Sequence, residues 1–187
     1  MSKKLISVLL LTFPTIALAH PGHTNNFAAA FVHPFTGIDH LLMMLCVGIL
    51  AGRIGGAMRW RLPLAFLSAM SMGWLLGAAG YAFKGLESGI AAGLIALGAL
   101  FITRATLPAV LQVGMIAMFA LLHGMAHGVE LSSLTPTMTG AGFLMATALL
   151  HAAGLVIASL IPSAENRAYR ALGVALSVLG SGLLLTA

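Results

Sequence analysis

The chain has 187 residues with nine Lys/Arg, four Asp/Glu and seven His, a formal net charge of +5. Apolar residues make up 60% of it before its 22 glycines are counted, and charged residues only 7%, against roughly 45–50% and 25% in ordinary soluble domains. So few charges at a mean hydropathy of +1.05 cannot clothe a surface in water, which excludes a soluble globular domain and leaves an integral membrane protein. A single cysteine, Cys46, excludes an internal disulfide framework and every multi-cysteine metal signature. The basic residues lie scattered between apolar runs, with no patch or stripe of the kind that binds nucleic acid.

Residues 1–19 read as a cleaved signal peptide. Lys3 and Lys4 precede an apolar run from Leu5 to Ile16 that is interrupted by Pro14, and Ala17-Leu18-Ala19 fits the small-x-small pattern before a cut at His20. The run is shorter than the roughly 20 residues a spanning helix needs. The expected mature chain of 168 residues (187 − 19) carries seven basic and four acidic residues and forms one domain. It begins His20-Pro21-Gly22-His23, an α-amino group and two imidazoles able to collect metal at the mouth of the protein.

Breaking the remainder at its charges and Pro/Gly clusters predicts six spans, at about 35–53, 62–83, 87–104, 108–128, 138–161 and 167–186. Each is long enough for one helix across a ~30 Å hydrocarbon core, so the expected fold is an all-α integral membrane bundle of six transmembrane helices. Starting outside, the loops expected in the cytoplasm hold Arg53, Arg59 and Arg61, then Arg104, then Arg167 and Arg170; the external loops hold only Lys84. That asymmetry follows the positive-inside rule and places the mature N-terminus and the C-terminus on the external, periplasmic side of a bacterial plasma membrane. Small residues at four-residue spacing, Gly48/Gly52, Gly73/Gly77 and Gly89/Gly93, offer close helix contacts.

Ionisable groups inside spans are costly, so they normally face the bundle interior and mark a site or pathway. The first span opens with His33-Pro34-Phe35-Thr36-Gly37-Ile38-Asp39-His40. On one continuous helix His33 and His40 share a face but stand about 10 Å apart along the axis, so they can join at one ion only if the first turn is irregular. Glu87 opens the third span, and the fourth ends in His123-Gly124-Met125-Ala126-His127-Gly128-Val129-Glu130. There an i, i+4, i+7 pattern puts both imidazoles and the carboxylate on one stripe, and Gly124 and Gly128 leave room beside them for a helix or an ion. The topology sets Asp39, His40, Glu87, His127 and Glu130 at one depth, on the external side. His151, past the middle of the fifth span, is a candidate deeper station.

Imidazole suits Zn, Cu, Fe and Ni, and a mixed His/Asp/Glu set with methionines nearby points to a late first-row divalent ion. No G-x-x-x-x-G-K-[ST] loop is present for ATP hydrolysis. Two other readings use the same residues. In a haem-binding electron-transfer subunit, His40 or His151 would face His123 or His127. In an intramembrane metalloenzyme, His123-x-x-x-His127 would hold zinc, but Gly124 stands where an HExxH general base belongs.

The set His33-Pro34-x-x-Gly37-x-Asp39-His40-x-x-x-Met44-x-x-Val47-Gly48, with His123-Gly124-x-Ala126-His127-Gly128-x-Glu130 and a signal peptide running into Ala-His-Pro-Gly-His, resembles the HupE/UreJ family over essentially the whole chain. The resemblance implies a six-helix permease, not an enzyme, carrying nickel or cobalt as its transported ion, without a prosthetic group, in the service of hydrogenase or urease maturation. It also implies that His33, Asp39, His40, His123, His127 and Glu130 are the functional positions. The wider nickel/cobalt permease signature has His-x4-Asp-His, whereas the spacing here, from His33 to Asp39-His40, is one residue longer.

Overall fold

The computed structural model describes residues 26–103, 107–131, 136–161 and 166–187. The expected signal peptide, His20, His23, Arg104 and Glu165 lie outside these residues. Seven helices and no strand occur among the described residues: α1 (Asn26–Thr36), α2 (Ile38–Ile54), α3 (Met58–Ala78), α4 (Leu86–Thr103), α5 (Ala109–Glu130), α6 (Pro136–Leu160) and α7 (Asn166–Thr186). Helices α3 to α7 are long and apolar enough to cross a membrane, and the α1–α2 pair makes a sixth span if its two bent halves are counted as one.

The expectation of one straight first span from about residue 35 is corrected by a sharp bend. The axes of α1 and α2 meet at 86°. Gly37 makes the break with extended torsions, φ −96° and ψ 120°, and its carbonyl accepts the first bond of α2 from the Leu41 N–H at 2.9 Å. Left alone, the 17 residues of α2 rise only about 26 Å. The second span also differs, running 58–78 rather than 62–83. Arg59 and Arg61 sit exposed in its first turn, where long side chains carry their charges out to water without ending a helix. Its far end closes in a Schellman motif: Gly80, at φ 88°, lets Tyr81 N–H reach Leu76 O at 3.0 Å and Gly80 N–H reach Gly77 O at 2.9 Å. The other predicted spans agree with their helices to within two residues.

Membrane helices gain little from burying oil against oil, so close backbone approach and packing hold them together. The most extensive contact here is α3 on α5. The two run parallel, with Gly73 and Gly77 set against Leu121, Met125 and Gly128, and Gly124 and Gly128 against Met70 and Trp74. A Cβ at any of the four would strike a carbonyl oxygen of the opposite helix. Helices α2 and α6 repeat the device: Gly48 lies on the His151 carbonyl, Gly154 on that of Leu45, and Gly52 on Ala158. The space beside the α5 imidazoles is therefore filled by a helix. Gly89 and Gly93 instead make room for the side chains of Leu122 and Phe119. Helix α1 lies along α6, with Gly142 under the Phe27 carbonyl; α7 packs antiparallel on α4, where Gly98 meets Gly173.

These pairings gather Arg53, Arg59, Arg61, Arg167 and Arg170 at one end of the bundle. Arg53 ties that end together, its guanidinium 4.7 Å from the Tyr169 ring centroid and 5.8 Å from that of Phe101. The opposite end holds Lys84, His33, His40, His123 and His127.

Replacing Gly77 by leucine is expected to destabilise the detergent-solubilised protein by about 3 kcal/mol, the upper end of ordinary overpacking costs. Gly114, which also lies on a spanning helix but has open space beyond its Cα, is the control: Gly114→Leu should stay within about 0.5 kcal/mol. Thermal unfolding of the two variants side by side checks the pair.

Candidate metal site

The bend at Gly37 folds α1 back over the start of α2. His33 and His40, which a continuous helix would separate, have ring centroids 6.0 Å apart. The end of α5 then enters between them. The His127 ring lies 4.8 Å from His33 and 4.5 Å from His40, and the His123 ring 5.3 Å from His40.

Three ligand atoms from two distant stretches of chain form a small triangle. His33 Nε2 is 3.1 Å from His127 Nδ1 and 3.4 Å from Glu130 Oε2, and His127 Nδ1 is 3.5 Å from the same carboxylate oxygen. A metal ion about 2.0–2.1 Å from nitrogen and oxygen donors spaces tetrahedral ligands about 3.3 Å apart, close to these three sides. Glu130 is 56% exposed while His127 is fully buried, so the triangle opens to solvent through the carboxylate and is closed by the imidazole.

The other polar side chains set orientation. Asp39 lies in the first turn of α2, where the helix dipole favours an anion. Its Oδ1 lies 2.8 Å from His40 Nδ1. An imidazole that donates Nδ1–H to a carboxylate keeps the Nε2 lone pair free, the usual second-shell arrangement of a metal-binding histidine. His123 Nδ1 lies 3.1 Å from the Phe119 carbonyl and His151 Nδ1 lies 2.6 Å from that of Met44. A carbonyl can only accept, so both carry their hydrogen on Nδ1 and present a bare Nε2.

The cluster thus unites His33, Asp39, His40, His123, His127 and Glu130. Glu87 stays outside it, exposed at the start of α4, but shares a cavity of about 160 Å³ with Asp39 and Ala187. His151 lies deeper, with its ring 4.8 Å from Phe66, which in turn is 6.3 Å from His123. Sequence reasoning missed Phe143, whose ring backs His127 at 4.2 Å, because one more aromatic in an apolar span carries no signal. Thr147, a hydroxyl amid that span, is a signal the sequence does carry.

Imidazoles, two of them fully buried, and carboxylates gathered at one end of an apolar helical bundle define a multi-pass membrane protein with a candidate metal-binding centre. The chain belongs to the HupE/UreJ family, whose model, described as HupE / UreJ protein, matches residues 8–183. Protein HupE of Rhizobium leguminosarum bv. viciae is similar, 37% identical over 190 residues that cover 98% of this chain and 97% of that protein. No solved structure matches it.

Proposed function

We propose that this protein is a secondary transporter that takes a divalent transition-metal ion, nickel first and cobalt second, inward across the bacterial plasma membrane. The observation that carries the reading is the His33–His127–Glu130 triangle, whose sides fit one small dication. With the arginine end in the cytoplasm, as the positive-inside rule directs, the triangle faces the periplasm with both termini of the mature chain. His33, His127 and Glu130 are the ligands of entry, His40 and His123 supply the next imidazoles, and Asp39 orients His40. Glu87, His20 and His23 draw cations towards the mouth.

The driving force needs no ATP. An inside-negative potential of about 100 mV contributes roughly 4.6 kcal/mol for a double charge, equivalent to roughly a two-thousandfold accumulation. Catalysis at this centre is disfavoured because the position of an HExxH general base is taken by Gly124, where the Met70 carbonyl closes the space, and the nearest carboxylate, Glu130, is taken up as a ligand of the triangle. The family name supports a role in supplying metal for hydrogenase or urease maturation.

The test is uptake of radiolabelled nickel by cells expressing equal amounts of each protein, with cobalt and zinc as competitors. Asp39→Asn removes the partner that orients His40 and should slow uptake 10- to 100-fold, the usual cost of losing a second-shell group. His123→Ala should do the same. Wild-type rates in both variants would overturn the assignment.

A further inference from the structure

Among the described residues, four buried side-chain nitrogen or oxygen atoms lack a hydrogen-bond partner: the Nε2 atoms of His123, His127 and His151, and Gln112 Oε1 towards the other end of α5. An unpaired buried polar atom is expensive, so three on imidazoles of one bundle call for an explanation. His127 belongs to the triangle through Nδ1, and its other nitrogen faces the dry interior. His151 has no place in the triangle at all.

The surroundings of His151 are rich in lone pairs and poor in hydrogens. One turn before it on α6, the Thr147 hydroxyl lies 3.0 Å from Phe143 O, 3.2 Å from Met44 Sδ and 3.8 Å from Met70 Sδ. A hydroxyl has one hydrogen, so at most one of these acceptors is satisfied. The two thioether sulfurs and the hydroxyl meet at the junction of α2, α3 and α6, and His151, one turn further along α6 and held to α2 through the Met44 carbonyl, is buried with them. Such a set has one hydroxyl hydrogen, already taken by one of these acceptors, among several lone pairs, and its natural occupant is a cation. Imidazole and thioether together favour a late or soft transition metal over Mg or Ca.

We propose that the bundle holds a second, inner metal station, made by His151 Nε2 and the sulfurs of Met44 and Met70 around Thr147. This rests on the transporter reading above and deepens it. Phe66, one turn before Met70 on α3, stands between His123 and His151 and separates the inner station from the outer cluster. No carboxylate belongs to the inner set, so a dication is held there more weakly than beside Glu130, which suits a stage from which it must leave.

The experiment uses the purified full-length protein in detergent with Ni²⁺ alone. Equilibrium dialysis should find two ions per chain, the weaker lost in His151→Asn, whose amide can still donate to the Met44 carbonyl. The His33→Ala/Glu130→Gln protein, deprived of the outer triangle, should keep one ion, and X-ray absorption at the nickel edge should show sulfur in its shell. Met44→Leu/Met70→Leu, a volume-conserving change, should remove that sulfur while shifting the tighter Kd less than twofold. One ion per chain, lost only with the outer triangle, overturns the inner station and leaves the transporter reading standing. No bound ion in the wild type overturns both, and a retained ion without sulfur in its shell overturns the thioether assignment.

Discussion

A His127→Ala protein is expected to take up nickel at less than a hundredth of the wild-type rate. It is the one fully buried vertex of the triangle: its Nδ1 faces both other ligands, its ring meets those of His33, His40 and Phe143, and its Nε2 is buried without a partner. Losing one donor of three to a single ion is worth at least about 2.8 kcal/mol, or two decades in affinity. The measurement is the initial rate of uptake at matched protein levels, together with the nickel Kd of the purified variant. Because alanine also leaves a void, His127→Gln gives a control for folding, and it should fail in uptake while its thermal stability stays close to the wild type. Uptake within threefold of wild type in both variants would place the ion's route elsewhere.

The second large effect is expected from a residue with no ligand atom. A Cβ at Gly37 would lie 2.9 Å from both Asp39 Oδ1 and His40 Nδ1, closer than real Cβ contacts come. Gly37→Leu must therefore push the Asp39–His40 pair apart or open the 86° bend between α1 and α2. Either outcome withdraws an imidazole from the centre. The variant should raise the KM for nickel 10- to 100-fold, as loss of second-shell orientation does, while helix content by circular dichroism remains unchanged. An unaltered KM would show that the bend is set by the packing of α1 on α6 and not by Gly37.

The apolar pattern and the arginines made the spans legible, since length and charge are enough to place a membrane helix. The i, i+4, i+7 stripe of His123, His127 and Glu130 was equally plain, because all three sit on one helix. His33 was harder. Its meeting with His40 depends on the non-helical torsions of one glycine, and a glycine in a membrane span is as readily a packing contact as a break. Gly124 and Gly128 show the reverse difficulty: their spacing marked a space without saying whether a helix or an ion filled it, and only the position of α3 decides. Asp39 was legible as a functional carboxylate, but its commitment to His40 rather than to a ligand position is a matter of side-chain direction, which spacing does not carry.

Where α3 lies on α5, and α2 on α6, main chain rests directly on main chain at Gly73, Gly77, Gly48 and Gly154. Such seams have no cushion of side chains to deform, so each pair moves as one plank. The histidines are divided between the planks: His123 and His127 ride with α3, His40 and His151 with the other. On the transporter reading proposed above, a dication gripped by imidazoles from both would act as a rivet, and its passage would call for two stiff boards to slide past each other rather than for either one to flex.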